Sequence, residues 1–250
     1  MKKHSCIIYY LLITFLLSFV SMLAQTAIQN EAVRFLLFGV QAASPTITAI
    51  GILAVNKELR ANLSAIFHTE RLFAAIFLPV VIALGTMFAS KYIYCICSGN
   101  AFSCGHIPTK QLIVILWALI AEEIGWRGYL EPKLRTYKLH SASVPLIVGT
   151  IWGAWHFHYF IQQRTEVPIL LFFVGCIAES YIYSFMMKYT RNILSAMIYH
   201  FSCNLCLHLF MVNPADNNGI CTPYIILTAL EAVTALLLNI RQAKKSHTCS

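Results

Sequence analysis

Residues 121–130 read AEEIGWRGYL, and they follow the run LIVILWALI at 112–120, which contains no polar side chain. Two adjacent carboxylates and an arginine therefore stand at the end of an apolar segment. Even by the lower estimates, a charged side chain at the centre of a bilayer costs about 2.5–3.5 kcal/mol. Ionisable residues in such a position predict a functional site whose partners lie elsewhere in the chain.

The composition indicates a membrane protein. Of the 250 residues, 58% are hydrophobic and only 11% are charged, whereas soluble domains carry about 25% charged residues. The net charge of +8 comes from basic residues that are scattered along the chain, which argues against nucleic-acid binding. With no repeat or long linker, the chain is predicted to be a single transmembrane domain over residues 1–250.

Apolar segments of about 20 residues, the length that spans a bilayer, recur along the chain. They predict an all-α, polytopic bundle of about eight transmembrane helices. The first is expected to be a retained span, because its 19-residue apolar run exceeds the usual core of a signal peptide. The predicted spans are 6–26, 35–55, 72–90, 110–131, 144–163, 167–187, 192–212 and 221–240.

The distribution of basic residues predicts the orientation of these spans. If the N-terminus lies inside, most lysines and arginines of the connecting segments also fall inside. The basic residues of the outer segments are then Arg34, Lys91, Lys110 and Arg164. This bias follows the positive-inside rule and predicts that both termini are cytoplasmic.

The two glutamates of the 121–130 stretch are expected to differ in role. Glu123 and Arg127 are four residues apart and share a helix face, so they can form an ion pair. Glu122 points about 100° away from Glu123. It is therefore free to act as a general base. The alternative is a buried ion pair that only fixes helix packing.

Two further spans contain polar residues with helical spacing. The fifth span holds WGAWHFHY at 152–159, where His156 shares a face with Trp152 and His158 points about 200° away from His156. The seventh span holds HFSCN at 200–204, where His200 and Asn204 share a face. Taken singly, residues of this kind more often make a hydrogen bond between packed helices than form a functional site.

Depth in the membrane links the three spans. Glu122, His156 and His200 all lie roughly 12–18 Å from the inner ends of their spans, at 1.5 Å per residue. A common layer is equipped for hydrolysis: Glu122 can take a proton from water, and Asn204 can donate a hydrogen bond. The histidines can either bind a metal or stabilise an oxyanion. Such a site needs a cavity that opens to the inner side or laterally to lipid.

Two other acids lie within predicted spans. Glu179 in the sixth span is expected to face the same layer, whereas Glu231 in the eighth has no evident partner in the sequence.

The three motifs together resemble those of the CAAX prenyl protease and bacteriocin-processing family of intramembrane metalloproteases, also called the abortive-infection family. They are EEIGWRG at 122–128, the Trp152 to His156 pair, and the His200 to Asn204 pair. The likeness covers about 110–212, which is the expected protease core.

The resemblance implies an endopeptidase that cleaves membrane-associated or lipidated, CAAX-like substrates with a water activated by a glutamate. It makes Glu122 the base, supported by Glu123 and Arg127. His156, His200 and Asn204 complete the site, and the two histidines are the ligands if a divalent metal such as zinc is bound. The expected partners are the lipid bilayer and a peptide or lipidated protein, in a bacterial cell membrane.

Two other classes of function remain open. A non-catalytic immunity or regulatory protein could retain the protease fold for binding. A proton-coupled transporter would use the same buried acids as a relay, but that class usually shows inverted repeats, which this sequence lacks.

Overall fold

The computed structural model describes the backbone of residues 3–248 and the side chains of residues 6–240. Helices make up most of this part of the chain. A π-helix, Trp126–Leu130, joins α7 to α8, and a short 3-10 helix, Pro214–Asp216, precedes α13. The α-helices are α1 (Lys3–Ala27), α2 (Glu31–Ala42), α3 (Ser44–Val55), α4 (Leu59–Ile66), α5 (Leu72–Ser98), α6 (Thr109–Ala121), α7 (Glu123–Gly125), α8 (Glu131–Arg135), α9 (Ser143–Trp155), α10 (Phe157–Ile161), α11 (Ile169–Thr190), α12 (Leu194–Leu209) and α13 (Thr222–Thr248).

Five stretches of the described chain are long and apolar enough to cross a membrane, and α2 with α3 forms a sixth that bends by 62°. The predicted fourth and fifth spans are also helical, but each is broken near its polar motif, at Glu122 and at His156. The predicted all-α, multi-pass bundle of about eight spans is therefore confirmed. The five long apolar stretches that could each cross a membrane are Cys6–Ala27, Leu72–Ser98, Ile169–Thr190, Leu194–Asp216 and Thr222–Ile240.

The long helices alternate in direction between two faces of the molecule. We call the face formed by the connections 28–30, 99–108, 162–168 and 210–221 the far face, because α1 begins at the opposite side. Contacts tie these connections together: Arg164 Nη2 lies 3.0 Å from Gln25 Oε1, and Gly105 N lies 2.7 Å from Leu209 O.

The opposite side, called the near face, is formed by the connections 56–58, 67–71, 136–142 and 191–193. Here Arg71 Nη1 donates to the carbonyl oxygen of Tyr189 at 2.6 Å, and Lys188 Nζ lies 3.0 Å from Ser141 Oγ. The charge distribution predicts that the near face is cytoplasmic. Five basic residues that enter this prediction lie outside the described side chains: Lys2, Lys3, Arg241, Lys244 and Lys245.

Buried aromatic rings fill the core on the near-face side of Glu122. Trp126 is fully buried and packs edge-on against Tyr10 and Trp155, with ring centroids 5.9 and 5.8 Å apart. Tyr129 packs against Tyr10 at 4.9 Å. Aromatic side chains bury large areas, so this cluster anchors the π-helix to α1.

The predicted continuous helix over 110–131 is interrupted at Glu122, and a neighbouring helix approaches it closely just after the break. A methyl group added to Gly125 would lie 2.5 Å from the carbonyl carbon of Pro45, so the short α7 can meet the start of α3 only through a glycine. Pro45 is the second residue of α3, where proline is well tolerated. The chain turns at Glu122 and continues as a π-helix, a feature often found at functional sites.

The basic segment after the π-helix forms only one short helix, α8. Arg135 pairs with Glu131 four residues earlier, and Lys133 Nζ lies 3.2 Å from Glu58 Oε2. The first contact lies within α8, and the second ties the segment to the connection 56–58 at the near face.

Candidate active site

Glu123 is the centre of a buried ion-pair pocket. Its Oε1 lies 3.1 Å from Arg127 Nη1 and 2.7 Å from His200 Nδ1, and the side chains of Glu123 and Arg127 are both fully buried. The first contact is the predicted pair of residues four apart; the second joins the 121–130 stretch to α12. One carboxylate oxygen thus links two of the three motifs.

Two aromatic rings enclose the Arg127 guanidinium. Its central carbon lies 3.9 Å from the centroid of the Tyr183 ring and 4.5 Å from that of Trp152. Cation–π contacts of this kind are strongest where water is excluded. The ion-pair pocket, formed by Glu123, Arg127, His200, Trp152 and Tyr183, therefore holds its charge without solvent.

Glu122 has different surroundings, although it is the next residue. Its Oε2 accepts a hydrogen bond of 2.7 Å from Trp152 Nε1, and the side chain lies on the wall of a cavity of about 300 Å³. No cation of the described side chains lies within ion-pair distance of this carboxylate. The turn that ends α6 gives the two glutamates their separate directions.

The same cavity is lined by His156, His200 and Asn204. His156 lies at the break between α9 and α10, and the other two residues lie in α12. Glu179 also borders it. Glu123 and Arg127 lie behind the wall of the cavity and do not line it.

His158 is placed outside this wall. It is buried, and its Nδ1 lies 3.0 Å from the carbonyl oxygen of Trp155. The helix ends at Trp155 and restarts at Phe157, so the two neighbouring histidines leave the break in different directions.

Both cavity histidines are held through Nδ1. The Nδ1 of His156 lies 2.8 Å from the carbonyl oxygen of Trp152, so this nitrogen must donate, and the Nε2 of the neutral ring keeps its lone pair. His200 is held in the same way by Glu123. An oxygen acceptor at the second ring nitrogen is typical of histidine ligands, so both residues fit a zinc-like metal chemically.

The geometry sets a limit on that fit. The ligand atoms of Glu122, His156 and His200 do not all lie within 4.8 Å of one another in this structure. The two histidines, rather than a preformed trio with Glu122, are therefore the candidate ligands.

The cavity reaches the far face, where Arg164, Thr165, Val167 and Asn213 line it. Under the predicted orientation the far face is the outer side, which differs from the expected opening to the inner side, whereas the expected lateral opening to lipid stays a prediction. The reason lies in the packing, because buried rings such as Trp126 and Tyr129 fill the near-face side of Glu122.

An adjoining cavity of about 650 Å³ continues from this mouth and is lined by three basic residues, Arg34, Lys110 and Arg164, and by one acidic residue, Glu31. Partial burial and the like charge of Arg34 lower the pKa of the Arg164 guanidinium, although Tyr159 acts in the other direction. The approach to the site is thus positively charged.

Two residues of the site were not anticipated as contacts. Trp152 binds Glu122 as well as covering Arg127, and Tyr183 covers Arg127 from α11. The position of Trp152, one turn before His156, was a usable signal. Nothing in the sequence distinguishes Tyr183 from other tyrosines of its helix.

Comparison with known proteins agrees with the sequence motifs. Residues 105–206 match the family model of type II CAAX prenyl endopeptidases, Rce1-like. A CAAX prenyl protease 2 from Methanococcus maripaludis is 32% identical over 125 residues, which cover 46% of this chain and 45% of the relative. The match thus spans less than half of that relative's length. The resemblance is therefore confirmed over residues 105–206, the segment that contains every predicted site residue and matches the model of the Rce1-like CAAX prenyl endopeptidases.

Proposed function

We propose that this integral membrane protein is an endopeptidase in which Glu122 activates a water molecule to cleave a peptide bond. The observation that carries the proposal is the contrast between neighbours. Glu123 is engaged by Arg127 and His200, whereas Glu122 faces a cavity with a single indole N–H as its bonded partner. A general base must reach its water and must not be held in an ion pair.

The proposed proton transfer uses the two oxygens of Glu122 differently. Trp152 holds Oε2 and thereby orients the carboxylate. Oε1 then accepts a proton from a water molecule in the cavity while that water attacks the peptide carbonyl carbon. The proton passes next to the leaving nitrogen, which completes hydrolysis without a covalent intermediate on the protein.

Charge that develops on the carbonyl oxygen needs stabilisation. The Asn204 amide lines the cavity and can donate to this oxygen, and a protonated His200, held by Glu123, can donate from Nε2. His156 in its neutral form cannot donate from Nε2, because its proton is on Nδ1. If a divalent metal such as zinc is bound, His156 and His200 would hold it, and it would polarise the carbonyl.

We infer that the substrate is a membrane-associated or lipidated peptide with a CAAX-like end. The name of the relative, CAAX prenyl protease, supports this class. Apolar side chains such as Ile115, Phe172 and Leu207 line the cavity beside the polar groups and can pack against lipid or apolar residues.

The proposal is tested with purified protein in proteoliposomes and a synthetic prenylated CAAX peptide, with products identified by mass spectrometry. Wild-type protein should release the C-terminal fragment. We expect His200→Ala to abolish release and His158→Ala, which alters a buried histidine outside the cavity, to retain it. The assignment would be refuted if His200→Ala released the fragment and His158→Ala did not. It would also be refuted if neither wild type nor His158→Ala released the fragment.

The non-catalytic alternative makes a different prediction in cells. If the protein acts in immunity or regulation without catalysis, cells with Glu122→Gln should show the same phenotype as cells with wild type, because the amide preserves the shape of the side chain. Loss of the phenotype, with the protein still present in the membrane, favours hydrolysis.

A further inference from the structure

Three potential metal ligands from three helices converge beside the catalytic cavity. They are Glu179 in α11, Cys203 in α12 and Glu231 in α13, and we call them the acidic trio. One ligand atom from each lies within 4.8 Å of both others. Glu179 and Cys203 line the cavity, whereas Glu231 lies behind them.

No positively charged side chain of the described residues forms an ion pair with the carboxylates of the trio. Glu231 is 1% exposed, and its Oε1 has no hydrogen-bond partner among the described residues. Within the described side chains, neither Glu179 nor Glu231 is in an ion pair, and Arg127 is engaged by Glu123. Buried carboxylates are usually paired, neutralised or bound to a metal. An unpartnered carboxylate oxygen, on a residue that contributes to a cluster of ligand atoms, points to a missing cation.

We propose that the acidic trio is a binding site for a divalent cation of the zinc class. One thiolate with two carboxylate oxygens suits zinc, which accepts both sulfur and oxygen. Magnesium and calcium prefer all-oxygen surroundings, so the cysteine disfavours them. A dication offsets two of the three negative charges that the deprotonated trio carries.

The dimensions of the trio fit this occupant. Zinc binds sulfur at about 2.3 Å and oxygen at about 2.0–2.2 Å, so tetrahedral ligand atoms stand roughly 3.5 Å apart. The ligand atoms of the trio already lie within 4.8 Å of one another, which is close to that separation. Because Glu179 and Cys203 line the cavity, the ion has a way in and a water molecule can supply a fourth ligand.

Binding requires that the thiol and the carboxyl groups lose their protons as the ion enters. The trio contains neither His156 nor His200, so it is separate from the candidate histidine ligands. The inference goes beyond the proposed hydrolysis and does not depend on it.

The test uses full-length protein purified in detergent, stripped with a chelator and titrated with Co²⁺, which reports thiolate ligation by a charge-transfer absorption band. We expect one equivalent of Co²⁺ to produce the band and Zn²⁺ to abolish it by displacement. Cys203→Ser should lose the band, and Glu231→Gln should weaken Co²⁺ binding at least about tenfold. Cys206→Ser, a matched change at a buried thiol of the same helix, should retain it.

A double variant, His156→Ala with His200→Ala, separates this proposal from the proposed function. It should lose cleavage but keep the Co²⁺ band. Absence of a thiolate band in wild-type protein, or its persistence in Cys203→Ser, would overturn the site. If Cys203→Ser does not fold, the other buried thiols of the described residues are replaced one at a time, in Cys6→Ser, Cys95→Ser, Cys176→Ser and Cys206→Ser. Retention of the band in all four assigns the buried ligand by elimination, and loss of the band in any of them counts against the trio.

Discussion

The ion-pair pocket and the acidic trio place buried carboxylates in opposite situations within one bundle. In the pocket, Glu123 meets a guanidinium and an imidazole, and aromatic rings exclude water. In the trio, Glu179 and Glu231 meet a thiol and each other, with no cation of the described side chains. The difference is one of charge, because Glu123 and Arg127 offset each other although Glu123 Oε2 and Arg127 Nη2 have no hydrogen-bond partner, whereas a deprotonated trio would need a cation from outside the protein.

The largest expected effect comes from removing the cation of the pocket. Arg127→Met leaves Glu123 buried without its guanidinium, and breaking a buried pair in this way costs about 3–5 kcal/mol. We expect this loss in the free energy of unfolding, measured by denaturant titration in mixed micelles. Lys133→Met removes a partly exposed pair and should cost less than about 1 kcal/mol. Equal losses in the two variants would contradict the comparison.

A second prediction concerns the boundary between the pocket and the cavity. Trp152→Phe keeps an aromatic ring over Arg127 but removes the N–H that holds Glu122. A hydrogen bond to a charged group contributes about 1.5–3 kcal/mol, so the cleavage rate should fall about ten- to a hundredfold. Trp155→Phe, which loses a 3.1 Å bond to Ser44, is the control and should change the rate little.

The third prediction addresses the turn that separates the two glutamates. Gly125→Ala places a methyl group against the backbone of Pro45 and should destabilise the fold by about 1–3 kcal/mol through overpacking. Gly85→Ala, where no atom lies within 4 Å of the added methyl group, should be neutral or slightly stabilising. Thermal unfolding of the purified variants distinguishes the two outcomes.

The smallest effect is expected in the acidic trio without metal. Glu231→Gln should change the unfolding free energy by less than about 1 kcal/mol in the presence of a chelator, because a protonated carboxyl and an amide are both neutral and similar in shape. The variant should differ from wild type only after Zn²⁺ is added, when wild type gains stability. A large loss in chelator would show that Glu231 is charged without a metal.

Much of the fold could be predicted from the sequence because it depends on local patterns. Apolar segments of membrane length gave the helices, and the spacing of Glu123 and Arg127 gave their ion pair. The close packing beside the turn at Glu122 could not be foreseen, because it joins Gly125 to Pro45, 80 residues earlier in the chain.

The difference between local patterns and distant contacts also explains which features of the site could be predicted. Depth along each span brought Glu122, His156 and His200 to one level, and the structure places all three on one cavity. Which face the cavity reaches depends on how the loops and aromatic rings pack, which spacing does not encode. The acidic trio also depends on the rotation of three helices, so Glu231 had no evident partner in the sequence. The cytoplasmic position of the near face stays a prediction.

The central claim is that adjacent glutamates have separate tasks, and one paired measurement tests it. Glu122→Gln and Glu123→Gln are compared with wild type for unfolding free energy and for cleavage of the prenylated peptide in proteoliposomes. We predict that Glu122→Gln unfolds like wild type but does not cleave, whereas Glu123→Gln loses stability because Arg127 is left buried without its partner. Cleavage by Glu122→Gln at the wild-type rate would contradict the account.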